Sequence, residues 1–367
     1  MNFIDFFSGA GMFRKGMELA GHKCVGYVEW DKFARKTYEA NYNTENEWTH
    51  WDVQTLSASD IPKSDIWCFG FPCKNMSTAN ASTRYGLEGE QSGLFYVMVG
   101  LVRDVEVKPK YLFIENVKGF TTINGGLDFL KALCKLHSLG YDIKYEVSSA
   151  LEYGVPQNRV RTFLICKLNG SINSSASDKG LLKLKKVIDA DGLNIYDLLY
   201  TIESNGTKPK IKYGTSGEIR NSIIEVKDKS YKTKDNCNKT IRDVLETDID
   251  SKYYISKESI EGLVKRKGGK EKILKDGKIW REGSVPFPDS IDKYARCITP
   301  SDGDANRSTH IIQDGIGFRK LTIRERARLQ GLDDSFVFPV STYQASLQLG
   351  NGVVVDVIRD IVKREII

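Results

Sequence analysis

Residues 2–11 read Asn-Phe-Ile-Asp-Phe-Phe-Ser-Gly-Ala-Gly, an apolar run that leads into a turn with two glycines. The run Phe3–Phe7 predicts a buried strand, and the apolar spacing in Arg14–Ala20 predicts a helix after the turn. Glycines in such a turn let the backbone approach a ligand closely, and a helix start leaves free N–H groups. This stretch therefore predicts the first strand, turn and helix of an α/β fold, with a ligand site at the turn.

Short apolar runs and helical patterns keep alternating as far as residue 168. Five further predicted strands are Cys24–Glu29, Ile66–Gly70, Tyr111–Glu115, Ile143–Ser148 and Thr162–Lys167. Further predicted helices are Lys32–Tyr42, Leu94–Val105 and Leu127–Leu139. We expect a largely parallel sheet covered by helices on both faces. Ligands bind outside the carboxyl ends of the strands in such sheets, so the chemistry is expected in the loops that follow the strands.

The pattern changes at about residue 169. Asn169–Ser177 is rich in Asn, Ser and Gly and predicts a linker, and no clear alternation of strands and helices follows up to about residue 295. Two more helices are predicted at Leu321–Gly331 and Val353–Glu365. The simplest architecture has one α/β domain built from residues 1–169 plus 318–367, with a smaller domain inserted between them at 170–317.

Charge and hydrophobicity limit the class of protein. Of 367 residues with a net charge of +6, residues 171–300 hold 26 Lys and Arg against 20 Asp and Glu, so this segment accounts for the whole excess. Such a charge suits a polyanionic partner and equally a solvated surface. No apolar run approaches the roughly 20 residues that cross a bilayer, and no signal-peptide pattern is present. We expect a cytoplasmic protein without a membrane partner.

The seven cysteines are irregularly spaced and form no Cys-x-x-Cys pair. We expect neither a disulfide framework nor a metal site, and most thiols should be small buried groups. Cys73 is distinguished by its neighbours, because Gly70-Phe71-Pro72-Cys73 comes at the end of a predicted strand. Proline stiffens the approach to the thiol, and a loop of free N–H groups favours the reactive thiolate.

Acidic residues stand at the end of the second predicted strand and at Asp52, where a further strand of the sheet would end. Glu29 is placed to accept two hydrogen bonds from ribose hydroxyls. Trp30 offers an aromatic face to an adenine, and Asp52 offers an acceptor to the adenine amino group. Each residue alone is typical of a protein surface, but together with the first turn they predict a nucleoside pocket.

Seven motifs in order make the sequence resemble the cytosine-C5 DNA methyltransferase family. They are Phe7-Ser8-Gly9-Ala10-Gly11, Glu29-Trp30, Asp52, Pro72-Cys73, Phe113-Ile114-Glu115-Asn116-Val117, Gln157-Asn158-Arg159-Val160-Arg161 and Leu349-Gly350-Asn351-Gly352-Val353. Order and spacing agree along the chain except across about 170–295. The resemblance implies a Rossmann-like α/β fold of the S-adenosylmethionine-dependent methyltransferases, with an inserted, smaller target-recognition domain.

The resemblance also implies roles for individual residues. Cys73 would attack C6 of cytosine, Glu115 would bond N3 and the 4-amino group, and Arg161 would hold O2. The implied catalytic set is Cys73, Glu115, Arg161, Arg159 and Gln157, the last two holding the loop or the DNA backbone. The residues implied for binding S-adenosylmethionine are Phe7, Ser8, Gly9, Ala10, Gly11, Met12, Glu29, Trp30, Asp52, Val53, Phe71, Pro72, Asn351, Gly352 and Val353.

The implied substrate is a cytosine flipped out of double-stranded DNA, in a recognised sequence. The loop from Ser77 to about Gly93 is expected to close over that base. Within the insertion, Lys208–Tyr213 and Lys265–Lys270 are candidates for phosphate contacts or for plain surface. Arg296–Pro300 resembles the motif that organises the recognition domain, so Cys297 is expected to be structural. The implied setting is a monomer that works with a cognate restriction endonuclease or protects a phage or prophage.

Two departures from the family pattern and two alternative functions remain. Lys74 stands where Gln is usual, and Met12 stands where a small residue is common, but neither removes a group that the reaction needs. One alternative is a transfer-RNA cytosine methyltransferase of the same fold, although the Cys-Phe-Thr run of that group is absent. The other is an inactive DNA-binding relative, although Cys73, Glu115 and Arg161 are intact. The chain has no Pro-Pro and no Gly-x-Gly-x-x-Gly, which argues against amino-group methyltransferases and dinucleotide-dependent oxidoreductases.

Overall fold

A computed structural model of the protein describes residues 1–72, 87, 93–170, 185–206, 210–228, 237–273 and 279–366. The strands of this part of the chain are β1 (Asn2–Phe6), β2 (Lys23–Val28), β3 (Trp48–His50), β4 (Ile66–Phe69), β5 (Tyr111–Val117), β6 (Tyr141–Ser149), β7 (Val160–Leu168), β8 (Val187–Asp189), β9 (Lys210–Lys212), β10 (Ser216–Arg220), β11 (Ile223–Lys227), β12 (Lys270–Ile273), β13 (Ile279–Glu282), β14 (Ile311–Gln313) and β15 (Phe318–Lys320). Its α-helices are α1 (Met12–Leu19), α2 (Lys32–Asn41), α3 (Leu94–Asp104), α4 (Leu127–Ser138), α5 (Ile195–Asn205), α6 (Lys257–Lys267), α7 (Ile323–Arg328), α8 (Thr342–Asn351) and α9 (Val355–Glu365).

Nine of these strands form one sheet, in the order β11-β10-β6-β7-β5-β4-β1-β2-β3. Strands β3, β2, β1, β4 and β5 pair in parallel, whereas β7 and β10 are antiparallel to both of their neighbours. Seven strands, β1 to β6 and β11, therefore run in one direction and two run in the other. The expectation of a largely parallel α/β sheet is confirmed.

Strand register brings the predicted site loops to one edge of the sheet. Phe6, the last residue of β1, is paired with Val28 at the end of β2 and with Phe69 at the end of β4. Because β7 runs in the reverse direction, its start lies where the others end, and Arg161 is paired with Val117 at the end of β5. The reversal of β7 thus adds residues from the start of a strand to an edge that is otherwise built from strand ends.

Side chains alternate between two hydrophobic cores on the faces of the sheet. Ile4 and Phe6 of β1 face a core that includes α3 and α4, whereas Phe3 faces a core that includes α1 and α9. A smaller third cluster consists of Ile241, Val244, Ala295, Ile298, Ile312, Leu321 and Leu329. The predicted boundaries at residues 170 and 317 stay predictions, since the clusters show only which side chains pack together.

Several elements depart from the sequence expectations. The segment that showed no clear alternation contains α5, which packs against α4, and the hairpin β10–β11, which extends the main sheet from the edge of β6. Helix α8 was not predicted. Cys24, Cys68, Cys134 and Cys166 are buried, as expected for small apolar groups. Within the described ranges, no helix combines the length and the apolar character needed to cross a bilayer.

Candidate active site

The turn after β1 has the conformation that its glycines predict. Phe7, Gly9 and Gly11 have φ values of 54°, 56° and 85°. A Cβ at Gly11 would lie 2.4 Å from Tyr42 Cε2, whereas a Cβ at Gly9 would meet no atom of the described chain within 4 Å. Gly11 is therefore required by packing, while Gly9 opens onto free space. Ala10 and Ser8 are buried beside them.

Glu29 braces this turn from the end of β2. Its Oε2 accepts a hydrogen bond from Gly9 N at 2.8 Å, and its Oε1 accepts one from Asp31 N at 2.8 Å. Burial raises the pKa of Glu29, although the backbone N–H donors oppose this shift. The structure thus brings together the first turn and the predicted ribose-binding acid.

Trp30, Asp52 and Val53 line the same edge at the ends of β2 and β3. The indole of Trp30 is 76% exposed, so its face is available for stacking. Asp52 begins a short helical turn, with Oδ1 accepting from Gln54 N at 2.9 Å, and Val53 is buried behind it. Asp52 stands half-buried at the point where the sequence placed the adenine-contacting acid.

The C-terminal motif reaches the first turn through Met12. A Cβ at Gly352 would lie 2.3 Å from Met12 Sδ, so the glycine lets the two segments touch. Val353 is buried in the core on this face, whereas Asn351, the last residue of α8, is exposed. The larger side chain at position 12 is accommodated by direct packing against the final motif.

The residues before Cys73 are anchored to β5. Phe71 is buried between Phe95 and Phe120, and its carbonyl oxygen accepts a hydrogen bond from Asn116 Nδ2 at 3.2 Å. Pro72 is half-buried. Cys73, Lys74 and most of the loop predicted to close over a base lie outside the described residues. Asn116 therefore fixes the start of the predicted nucleophile loop beside its neighbour Glu115.

Glu115 and Arg161 form an ion pair at the centre of the site. Arg161 Nε lies 3.1 Å from Glu115 Oε1, and the two side chains are only 17% and 12% exposed. Burial raises the pKa of Glu115, while Arg161 and Arg159 act in the opposite direction. A Cβ at Gly70 would lie 3.1 Å from Glu115 Oε2, so a glycine at the end of β4 leaves room for the carboxyl group. Gly70 is a site residue that the sequence motifs did not single out.

Gln157 and Arg159 join distant segments of the chain. Gln157 donates to Leu329 O at 2.7 Å and accepts from Ile298 N at 2.9 Å. Arg159 is 3% exposed and donates from Nη1 to Ile298 O at 2.9 Å and from Nη2 to Gly350 O at 2.9 Å and Gly352 O at 2.5 Å. These contacts support the loop-holding function that was expected for both residues.

The three motifs around these residues share one small cavity. Its lining includes Glu115 of β5, Arg159 and Arg161 of the Gln-x-Arg-x-Arg motif, and Val353 of the final motif. Ser148 of β6 also lines it and was not predicted, because no motif marks that strand. Residues from four separate segments are thus adjacent, as the site hypothesis requires.

The two lysine patches of the insertion are only partly exposed. Ile211 and Tyr213 are buried in the main core, and Tyr213 OH donates to Gly126 O at 2.8 Å. Lys267 is buried too, with Nζ donating to Thr309 O at 2.6 Å, and burial lowers its pKa to about 8. The expectation that the whole of Lys265–Lys270 faces solvent or DNA was therefore wrong at Lys267, whereas Lys265 and Lys270 are exposed.

A largely parallel sheet whose first turn is braced by an acid from the second strand is the arrangement of the S-adenosylmethionine-dependent methyltransferase fold. The family model for the C-5 cytosine-specific DNA methylases matches residues 1–366. This chain therefore belongs to that family, whose members methylate C5 of cytosine in DNA with S-adenosylmethionine.

Curated relatives and solved structures agree with this assignment. The chain is 30% identical over 363 residues to the Type II methyltransferase M.HhaI of Haemophilus parahaemolyticus, covering 98% of this chain and 92% of that one. It is 31% identical over 379 residues to M.HpaII of Haemophilus parainfluenzae, covering 97% and 87%. The S. pombe Dnmt2 methyltransferase shares the fold, with a TM-score of 0.64, 18% identity and coverage of 99% and 98%.

The first turn fits this cofactor. Gly9 leaves open space where any other residue would place a Cβ, and within the described chain the buried Ser8 Oγ has no hydrogen-bond partner. Glu29 keeps carboxylate lone pairs beyond the two that accept backbone hydrogen bonds. A ligand with hydroxyl donors and a polar amino-acid end would supply hydrogen-bond partners to Ser8 Oγ and to the Glu29 carboxylate.

Proposed function

We propose that the chain is a sequence-specific DNA (cytosine-5)-methyltransferase in which Cys73 adds to C6 of a flipped-out cytosine and Glu115 and Arg161 hold the ring. The single observation that carries this proposal is the buried Glu115–Arg161 pair next to the Asn116–Phe71 hydrogen bond. Phe71 is two residues before Cys73, and its carbonyl oxygen is held by Asn116, the chain neighbour of Glu115. Cys73 therefore comes shortly after a backbone position that is fixed beside the Glu115–Arg161 pair.

The chemistry needs a thiolate and a proton donor on one ring. When the Cys73 thiolate forms a bond to C6, electrons of the C5–C6 double bond move towards C5 and the ring would gain negative charge. Glu115, whose pKa is raised by burial, donates a proton or hydrogen bond at N3 and limits that charge. Arg161 donates to O2 from its fork of N–H groups. This is covalent catalysis that divides one difficult substitution into easier steps.

Bound S-adenosylmethionine supplies the methyl group, held by the first turn, Glu29, Trp30 and Asp52. Once C5 carries the methyl group, a base removes the C5 proton, the electron pair restores the double bond, the C6–sulfur bond breaks, and any proton held at N3 returns to Glu115. No residue is assigned as that base. The proposed sequence therefore returns Cys73 as a thiolate and leaves 5-methylcytosine.

Target recognition is assigned to residues 170–317. Arg307 supports this assignment, because its guanidinium donates to Arg266 O at 3.0 Å and to Gly268 O at 2.5 Å and thereby fixes the connection between α6 and β12. Exposed Lys265, Lys270 and Arg281 surround this connection. A cationic hairpin on a fixed base suits contact with phosphates in a groove.

The biological setting is inferred from the relatives. Both relatives named above are Type II methyltransferases that match this chain almost throughout, which supports action on double-stranded DNA with a cognate restriction endonuclease. The monomeric state is proposed from the family resemblance alone. We also propose a cytoplasmic location, since the two relatives come from bacteria, whose DNA lies in the cytoplasm.

The proposal is tested with methyl-labelled S-adenosylmethionine and four matched substrates: duplex DNA, the same DNA as a single strand, DNA with the cytosines replaced, and transfer RNA. We expect label in the duplex, and sequencing should map it to C5 of cytosine within one short sequence. Label confined to transfer RNA or to adenine would contradict the proposal. Absence of label with cofactor bound normally would favour the inactive DNA-binding relative.

A further inference from the structure

Cys297 lies between the two arginines of the Gln-x-Arg-x-Arg motif. Its Sγ accepts from Arg159 Nη1 at 3.4 Å, and Arg161 Nη2 approaches it at 4.0 Å. A neutral thiol is a weak acceptor, whereas a thiolate is a full negative charge. A thiol here would donate to Ile298 O only at 3.5 Å, to an oxygen that also accepts from Arg159 at 2.9 Å, whereas both guanidinium groups direct N–H donors at Sγ. The arrangement around Cys297 is therefore better suited to an anionic sulfur.

The backbone on both sides of Cys297 is fixed against the Gln-x-Arg-x-Arg segment. Ala295 N donates to Pro156 O at 2.8 Å, and Ala295 O accepts from Asn158 N at 2.8 Å. On the other side, Ile298 N donates to Gln157 Oε1 at 2.9 Å. These hydrogen bonds form a short parallel pairing, so the contact between Sγ and the arginines does not depend on a free loop.

Charge balance gives this contact a chemical purpose. Arg159 is 3% exposed, and its other described hydrogen bonds go to backbone carbonyl oxygens. A buried cation is costly without an anionic partner. Glu115 could supply that charge only as a carboxylate, yet its action on N3 of cytosine requires the protonated form. Cys297 is a second acidic group in contact with the arginine pair.

The electrostatic surroundings of the thiol agree with this geometry. Burial opposes ionisation of Cys297, but Arg159 and Arg161 outweigh it and lower the pKa of the thiol. Burial and the charge of Arg161 lower the pKa of Arg159. The charges that act most strongly on Cys297 are these two arginines, and the same two arginines act on Glu115.

We propose that Cys297 is a positioning residue whose thiolate is the counter-ion of Arg159 and Arg161, which leaves Glu115 free to keep its proton. The inference deepens the proposed function and rests on it, because it concerns the protonation of the proposed catalytic acid. It also connects two parts of the chain, since Arg296, the residue before Cys297, pairs with Asp289 at 2.9 Å within the inserted segment.

The negative charge on Cys297 should set the pH at which kcat decreases on the alkaline side of its pH profile. The rate rises with pH as Cys73 ionises and falls when Glu115 loses its proton. If the charge at residue 297 is removed, the arginines act on Glu115 alone and favour its carboxylate. The falling limb of kcat should then move to lower pH by about one unit.

Three substitutions separate charge from packing. Cys297→Ala and Cys297→Ser should shift the falling limb and lower kcat on that limb by about tenfold, with KM for DNA within about twofold. Cys297→Asp restores a negative charge and should move the limb back towards the wild-type position. Cys237→Ala, at a partly exposed thiol that donates to Lys239 O, is the matched control and should follow the wild type. A purely structural Cys297 would make Ser the mildest variant and Asp the most damaging, which would overturn the proposal.

A second measurement does not depend on activity or on a variant at residue 297. Alkylation of the Cys297 peptide by iodoacetamide, followed by mass spectrometry across pH, should show half-maximal reactivity below about pH 8.5, the value of a free thiol. Half-maximal reactivity at or above that pH would overturn the thiolate assignment. Failure of the proposed function would look different, because the wild type itself would then transfer no methyl group to cytosine, whatever the alkylation result.

Discussion

Arg161 Nε lies 3.1 Å from Glu115 Oε1. Arg161 is the second residue of β7, a strand that runs antiparallel to both of its neighbours. The reversed direction of β7 is what brings Arg161 to the edge where β5 ends. Burial raises the pKa of Glu115, while the arginine keeps the carboxyl group oriented. The pair thus joins the proposed proton donor and a fork of N–H donors on one side of the site.

Replacing the carboxyl group should separate catalysis from binding. Glu115→Gln keeps the size and a hydrogen-bond donor but cannot transfer a proton, so we expect kcat to fall by about 10²- to 10⁴-fold. The affinity for S-adenosylmethionine should change by less than about twofold, because the first turn is untouched. Single-turnover methyl transfer and equilibrium cofactor binding measure the two effects. Unchanged turnover would exclude Glu115 as the acid.

Gly9 and Gly21 form a matched pair for testing the cofactor turn. Both have positive φ, 56° and 93°, and a Cβ at either position would meet no described atom within 4 Å. Alanine at each should therefore cost a similar free energy of unfolding, about 1–2 kcal/mol. Only Gly9 belongs to the turn that donates to Glu29, so Gly9→Ala should weaken S-adenosylmethionine binding by about tenfold or more. Calorimetry that gave equal affinities for the two variants would place the cofactor elsewhere.

Asp5 should make stability depend on pH. It is 1% exposed, neither carboxyl oxygen accepts a hydrogen bond within the described chain, and burial raises its pKa from 3.8 to about 8 although Arg14 opposes this. The folded state therefore binds the proton more tightly than the unfolded state. This contribution to the free energy of unfolding is complete below about pH 4 and is lost as the pH rises through about 8. The part already lost at pH 7 is on the order of 4 kcal/mol.

Urea unfolding across pH 5–9 tests this sign. In the wild type, the free energy of unfolding should decline towards alkaline pH. The Asp5→Asn variant should lack the part of this decline that Asp5 causes. Asp104→Asn changes an exposed carboxyl group paired with Arg103 and should retain the wild-type dependence. Parallel curves for wild type and Asp5→Asn would show that Asp5 does not titrate in this range.

The exposed lysines beside α6 should contribute to DNA affinity in a salt-dependent way. Lys265→Ala with Lys270→Ala should weaken binding and reduce the slope of log K against log salt by about 0.9 for each phosphate that the protein no longer neutralises. Lys110→Ala is the control, because Lys110 precedes β5 at the opposite edge of the sheet and pairs with Asp65 at 2.8 Å. Fluorescence anisotropy at several salt concentrations gives the slopes, and equal slopes for all variants would remove this hairpin from the interface.

Local sequence signals were sufficient for the first half of the fold. β1 and its turn could be predicted because the apolar run and the glycines report directly on burial and on positive φ. Helix α8 was missed because few of its residues are apolar, although its start was readable: Ser341 Oγ accepts from Gln344 N at 3.3 Å, a Ser-x-x-Gln cap.

Long-range pairing explains why other features could not be predicted. The contact of Cys297 with Arg159 joins residues 138 positions apart, and it depends on the pairing of Ala295 with Gln157. Similarly, Lys267 lies in a basic run that is typical of a protein surface. In the structure it is buried, and its Nζ donates to the carbonyl oxygens of residues 307 and 309. Burial of a polar group by a distant segment leaves no periodic signal in the sequence.

Covalent trapping on duplex DNA containing 5-fluorocytosine tests the central claim most directly. Fluorine at C5 leaves no proton to remove after methyl transfer, so the C6–sulfur bond cannot break and the complex should survive denaturing electrophoresis. We predict a trapped complex for the wild type, mapped by mass spectrometry to Cys73, and none for Cys73→Ala. A complex that persists in Cys73→Ala would contradict the assignment of Cys73 as the nucleophile.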